Sequence, residues 1–350
     1  MDTFSCPTRI FFGGGGLDAL DALKGERVFV VTDGFLAGSG LLETVVSHFG
    51  GGAVEIFSEV VPDPGLELVA KGVAAWQAFR PTAAVAFGGG SPIDCCKAIR
   101  YFAKDGVPLY VVPTTAGTGS EVTSFAVLTD SGKGVKCPIV DRGMLPDVAI
   151  LEPSFLKGVP PKVTADTGMD VLTHAAEAYV SKNATPFSDA LARDAFARGY
   201  RNLAGAYGGN EDAKGEMLFA SCLAGLAFNA AGLGICHALS HTLGGSLHLP
   251  HGTLNAILLP HVIRYNGSLA ETAKKYGELA GACGLTATAR ALSFGVARLG
   301  AAIGEPARLE EKIDRTATAR QALLDPCAGT NPRTATEGDL GALLRQAGER

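Results

Sequence analysis

Residues whose types and spacing could do chemistry are concentrated between positions 164 and 261. In TADTGMDVLTHAAEAYVS (164–181), Asp170 and His174 stand four apart in a helical pattern, so both project from one face. In GICHALSHTLGGSLHLPHGTLNAILLPH (234–261) lie five of the chain's seven histidines: His237, His241, His248, His251 and His261. An imidazole is costly to bury without a partner, and a carboxylate joined by several imidazoles from two helices makes an oxygen-and-nitrogen donor set suited to Fe²⁺, Zn²⁺ or Mn²⁺. Spacing alone leaves the subset open. His237 and His241 share a face, His241 and His248 share one too, and Pro250 should end or kink that helix and leave His251, followed by Gly252, on a turn that can fold back. For any single histidine a hydrogen-bonded core position is the commoner role, and His48 and His261 are read that way.

A second chemistry is written in glycine and hydroxyl loops. VAFGGGSPIDCCKAI (85–99) ends a buried strand at Phe87, lets the backbone approach a ligand through three glycines, and opens a helix with Ser91 and Pro92. The free N–H groups of such a helix start favour phosphate. PTTAGTGSEVTSF (113–125) follows the next strand and offers the hydroxyls of Thr114, Thr115, Thr118 and Thr123. Two such loops on adjacent strands favour a nucleotide at the carboxyl edge of a sheet. A third glycine run, IFFGGGGLDALDAL (10–23), has Gly14, Gly16 and Ala19 in a GxGxxA arrangement, but a short strand and polar SCPTR precede it. It is read as a tight turn beside an edge strand. Asp33, in VVTDG, suits either a turn or a bond to an adenosine ribose; in the second role it repels a 2′-phosphate and favours NAD over NADP.

These groups need elements to hold them. Up to about residue 152, continuous apolar runs (27–34, 53–60, 82–90, 108–115 and 147–153) alternate with helix-length connections, the grammar of a parallel sheet covered on both faces. After EPSFLKGVPP (152–161) strand signals nearly vanish and the pattern turns helical. The expected fold is an α/β doubly wound nucleotide-binding domain over 1–156 and an all-helical metal and substrate domain over 157–350.

The chain has 350 residues, 47% of them hydrophobic and 19% charged, with a formal charge of −5, which suits a closely packed enzyme rather than a disordered chain. It has no basic run, which excludes nucleic acid and anionic membrane as expected partners. No stretch approaches about 18 uninterrupted apolar residues, and MDTFSCPTRIFF lacks a basic segment followed by an apolar one, so a soluble, cytoplasmic chain is expected. Eight scattered cysteines without a CxxC pair are expected to be reduced, mostly buried thiols.

Taken in order, GGGSPIDCCKAI, PTTAGTGSEVT, KCPIVD, TGMDVLTHAAEAYVS, LAGLAFNAAGLGICHALSHTLGG, LPHGTLNAILLPHVIRYN and TNPR make the chain resemble the iron-containing (group III) alcohol dehydrogenases over nearly its whole length. Its N-terminal MDTFSCPTRIFF, with DGFLAGSGLL and FSEVVPDP, most resembles the branch acting on 1-propanol in propanediol-utilising microcompartments. The resemblance implies that Asp170, His174, His237 and His251 bind the metal, that His241 works beside substrate or nicotinamide, and that Phe228 lines the substrate pocket. It implies cofactor contacts from Asp33, Asp63, Gly90, Ser91, Thr114, Thr115, Thr123, Phe125 and Lys136. The implied activity is NAD(H)-dependent interconversion of short aldehydes and primary alcohols, with Fe²⁺ as the metal and Zn²⁺ acceptable to the same ligands. The implied setting is a homodimer or larger homo-oligomer, in the cytoplasm or in a microcompartment among shell or cargo proteins. Two departures stand out. The segment between ACGLTATARALSF and DPCAGTNPR is shorter than the family's, and Phe125 stands where some relatives carry a polar residue, which makes the pocket more apolar and counts against a diol. The alternatives are a glycerol or diol dehydrogenase on the same scaffold and a dehydroquinate-synthase-like lyase, the latter disfavoured by the scarcity of cations near the histidines.

Overall fold

The computed structural model describes residues 4–130, 135–247, 249–310 and 312–348, without the side chains of residues 130, 135 and 136. The chain divides into two compact units, residues Met1–Val159 and Pro160–Arg350.

The first unit is built on a six-stranded parallel sheet: β1 (Arg9–Phe12), β2 (Val28–Asp33), β3 (Val54–Val60), β4 (Ala83–Gly88), β5 (Leu109–Pro113) and, past a separate hairpin, β8 (Val148–Leu151). Their order is β1-β8-β5-β4-β2-β3. β4, β5 and β8 are buried along their whole lengths, because helices cover both faces and each alternate side chain meets apolar neighbours. One core cluster takes Phe29, Val31, Ala84, Ala86, Leu109 and Val111; the other takes Val28, Val30, Val85, Phe87, Tyr110 and Val112. Within each of these three strands, β2, β4 and β5, the two sets alternate, one on each face of the sheet.

Between β5 and β8 the chain forms an antiparallel pair, β6 (Phe125–Asp130) and β7 (Val135–Val140), outside the main sheet and absent from the sequence reading. At the N-terminus Gly13 and Gly15 adopt φ of 83° and 85° and turn the chain from β1, an edge strand, into a 3₁₀ helix, Gly16–Leu23.

The second unit is helical. Its Pro161–Val180 helix is buried almost all round from Thr164 onward, which marks it as the central rod of the bundle. Two glycines let neighbours approach it closely. A Cβ on Gly168 would sit 2.1 Å from Leu203 Cδ1, and one on Gly252 would sit 1.7 Å from the Asp166 carbonyl oxygen. No single helix among the described residues is long and apolar enough to cross a membrane. All eight cysteines are free, but only four are buried (Cys95, Cys96, Cys222 and Cys236), fewer than composition suggested.

Candidate metal centre and nucleotide-binding loops

Asp170, His174 and Glu177 lie at i, i+4 and i+7 of the central helix and therefore on one stripe. The Ile235–Leu247 helix contributes His237 and His241. His251 does not sit on a free turn, as the sequence suggested, but opens the His251–Asn266 helix, with Pro250 at its N-cap. The close approach at Gly252 seats that helix start against the central rod.

Three imidazole nitrogens face one carboxylate oxygen. The Nε2 atoms of His237, His251 and His174 lie 3.4, 3.6 and 3.7 Å from Asp170 Oδ1. Asp170, His174 and His237 offer ligand atoms that all lie within 4.8 Å of one another, close enough to share one divalent ion, whereas His251 stands beside Asp170 but outside that tightest set. His237 Nε2 is buried and makes no hydrogen bond among the described residues, an orphan that a cation would satisfy. Its other nitrogen is fixed, since Nδ1 lies 2.6 Å from Glu177 Oε2. The Nδ1 proton is thereby committed to Glu177, and Nε2 is the nitrogen that would give up its proton to ligate an ion. Glu177 also accepts the backbone N–H groups of Gly234 (2.9 Å) and Cys236 (2.7 Å), so one buried carboxylate caps the incoming helix and orients its histidine. Asn255 Nδ2 donates to Asp170 Oδ1 at 2.8 Å and is itself held by Ser240.

Burial alone would raise the Asp170 carboxyl, but the imidazoles of His174, His251 and His237 hold it well below the usual carboxylate range. Burial alone would lower His237, yet the Asp170 and Glu177 carboxylates push it up to about 9. The two shifts describe one coupled, buried carboxylate–imidazole group in which each partner favours the charged form of the other.

His241 stands beside this group. Its ring stacks on that of His251 with centroids 5.1 Å apart, and its Nδ1 lies 2.8 Å from Asp325 Oδ2. Burial raises the Asp325 carboxyl, but His241 outweighs it and holds it down to about 2. Phe228 stacks on His174 with centroids 4.5 Å apart. His48 pairs with Asp21 and His261 with Arg264, both away from the cluster, while His248 lies outside the described residues.

Glu177, Asn255 and Asp325 were not singled out from sequence. Only Glu177 carried a local signal, its helical register with Asp170 and His174. Asp325 is 84 positions from its partner.

In the first unit, β4 ends at Gly88, Gly89 is the N-cap, and Gly90 and Ser91 open the Gly90–Ala103 helix. The loop after β5 presses against them: a Cβ on Gly89 would lie 3.1 Å from Thr115 Oγ1, and one on Gly90 would lie 2.7 Å from Thr118 Cγ2. Glycine is required there for the loops to meet, which leaves a backbone cradle of the kind a diphosphate occupies. Thr114 and Thr115 follow β5, the neighbour of β4. Asp33 ends β2 and its Oδ1 accepts Leu36 N–H at 2.9 Å, capping a short helix; Asp63 follows β3 with φ 55°. These residues share the carboxyl edge of the sheet. Thr123 and Phe125 lead into the hairpin, and Lys136 lies on β7 opposite Thr129, its side chain outside the description.

Residues 7–153 match the family model for iron-containing alcohol dehydrogenase, and residues 164–348 match that for the C-terminal part of the Fe-containing alcohol dehydrogenase family. The chain is 41% identical to the 1-propanol dehydrogenase PduQ of Citrobacter freundii, over 99% of this chain and 100% of that one. It is 38% identical to the 1,3-propanediol dehydrogenase of Klebsiella pneumoniae, over 99% of each. Its fold matches that of a sulfoacetaldehyde reductase from Bifidobacterium kashiwanohense solved in complex with NAD⁺, at a TM-score of 0.91 and 30% identity, covering 99% of this chain and 98% of that one.

Proposed function

The chain belongs to the iron-containing alcohol dehydrogenase family, and from that premise we propose that it interconverts propanal and 1-propanol, or neighbouring short aldehydes and primary alcohols, using NAD(H) and a divalent ion held by Asp170, His174, His237 and His251. The observation that carries the reading is the convergence of three Nε2 atoms on Asp170 Oδ1. Fe²⁺ is the expected ion, and Zn²⁺ accepts the same donors.

When bound, the ion supplies Lewis acidity toward the substrate oxygen and the dinucleotide supplies or accepts hydride. The protein's own residues set the terms. Three neutral imidazoles and one carboxylate leave a divalent ion a net charge of about +1, enough to favour a developing alkoxide. Glu177 keeps His237 in the tautomer that can ligate. Phe228 covers one face of His174 and excludes water from that side. His241, with Nδ1 directed at Asp325, keeps Nε2 as the atom that takes up and returns the alcohol proton. On the nucleotide side, the N-terminus at Gly90 and Ser91 holds the diphosphate, Thr114 and Thr115 flank it, and Asp33 disfavours a 2′-phosphate.

The 41% identity to a 1-propanol dehydrogenase along the whole chain and the apolar Phe125 and Phe228 support a monoalcohol. The similarity to a 1,3-propanediol dehydrogenase makes a diol the reading to test against it. The N-terminal resemblance supports a homo-oligomeric enzyme of the cytoplasm or of a microcompartment within it. The deciding experiment is anaerobic purification with elemental analysis, followed by NADH oxidation with propanal and NAD⁺ reduction with 1-propanol and with 1,2- and 1,3-diols. Failure of the metal-loaded protein to oxidise NADH with propanal would refute the propanal assignment.

A further inference from the structure

The Gly90–Ala103 helix carries, two turns beyond its N-terminus, a lysine with no access to solvent: Lys97 is 0% exposed. All its hydrogen-bond acceptors belong to one short segment. Nζ donates to Ser120 Oγ (2.7 Å), the Thr123 carbonyl (2.9 Å), the Phe125 carbonyl (2.9 Å) and Thr123 Oγ1 (3.2 Å). Asp94, one turn earlier on the same face, accepts Ser120 Oγ at 2.6 Å and Val127 N–H at 2.9 Å. The helix that begins at the glycine cradle thus also grips residues 120–127.

A buried ammonium is an expensive way to fill space, and an apolar side chain of the same length would fill it without the desolvation cost. What the ammonium adds is geometry: its three protons are shared among two main-chain carbonyls and two hydroxyls of the segment that joins a 3₁₀ turn, Ser120–Val122, to the start of β6 at Phe125. Strand order says what that stretch faces. A dinucleotide with its ribose at Asp33 on β2 and its phosphates over Gly90 after β4 continues, in the order β2-β4-β5, toward the loop that follows β5.

We propose that Lys97 is a positioning residue for the nicotinamide half of the dinucleotide, clamping Ser120–Phe125, with buried Thr123 as an anchor, so that part-exposed Phe125 meets that half, while the adenosine and diphosphate contacts at Asp33, Gly90 and Ser91 form without it. This inference rests on the NAD(H) reading above. Burial pushes the ammonium down to about 8 against the opposing pull of Asp94 and Glu121, so the clamp is charged at neutral pH.

The test compares two ligands by calorimetric titration of the metal-loaded protein: NADH, which has both halves, and ADP-ribose, which lacks the nicotinamide. In Lys97→Met, NADH should bind about tenfold more weakly, the scale of one lost charge-assisted bond, while ADP-ribose stays within about twofold. Equal weakening of both ligands would make Lys97 a general core residue and overturn the proposal, as would unchanged NADH binding. Should Lys97→Met not fold, Ser120→Ala removes one clamp contact and its tie to Asp94, with an expected selective loss for NADH of about two- to fivefold; NADH binding equal to wild type there would overturn the proposal too. Wild-type protein that binds neither ligand would instead sink the dinucleotide reading itself.

Discussion

Glu177 Oε2 and His237 Nδ1 are 2.6 Å apart, both fully enclosed, on two different helices of the second unit. A carboxylate is the group this site needs, because it also receives the N–H groups of Gly234 and Cys236 and so has only donors around it. Glu177→Gln would turn an amide NH₂ toward those donors. The expected result is a metal affinity about 10- to 100-fold lower, read by competition with a chelator. Unchanged affinity would reduce Glu177 to a helix cap.

Gly252 lets His251 reach the cluster. With a Cβ there 1.7 Å from the Asp166 carbonyl oxygen, Gly252→Ala must push two helices apart. A stability loss of about 1–3 kcal/mol is expected from the overpacking, together with substoichiometric metal after anaerobic purification. Thermal unfolding and elemental analysis read the two effects separately; full metal content with a lowered midpoint would mean that His251 is not a required ligand.

Asp33 has two tasks that one substitution separates. Asp33→Ala removes the cap on Leu36 N–H, for a loss of about 1 kcal/mol. If the same carboxylate faces the ribose, the ratio of kcat/KM for NADPH to that for NADH should rise as well. A stability change with an unaltered ratio would leave Asp33 as a cap alone.

Glu121 gives the first unit a pH dependence. Burial raises its carboxyl to about 7 from the ordinary 4.5, against the opposing pull of Lys97. Between those values the folded protein holds more protons than the unfolded chain, so this group's contribution to stability falls as pH rises from 4.5 to 7. Lys97, the charged neighbour, acts at higher pH: depressed to about 8 in the fold, it makes stability rise from there toward 10.5. Glu121→Gln should flatten the acid-side slope of unfolding free energy and, by removing a carboxylate that pulls Lys97 upward, start the alkaline rise at a lower pH. An acid-side slope that survives the substitution would assign it to other groups.

His241 and Asp325 should behave as one unit. His241→Ala and Asp325→Asn are each expected to lower kcat, with the double variant little worse than the His241→Ala single, because the carboxylate acts only through the ring it orients. Additive losses would show that Asp325 works by another route.

The main sheet was legible because strands buried on both faces read as unbroken apolar runs, as in AAVAFG and LYVVP. The β6–β7 pair was not: its anchorage is Asp94 on a helix more than thirty positions away, not a pattern of its own. In the second unit the i, i+4 pairs Asp170/His174 and His237/His241 announced shared faces, but spacing could not rank His241, His248 and His251. That ranking depends on a helix break at Pro250 and a backbone contact at Gly252, both products of tertiary packing. Glu177 escaped notice because a glutamate three positions beyond a histidine looks like part of a solvated surface until the rest of the bundle closes over it.

Because a single carboxylate both ends one helix and aims its imidazole, the nest for the ion is finished when the chain finishes folding. Loading is then a docking event into a ready receptacle, and stripping with a chelator should leave helical content intact and be undone by simple resupply.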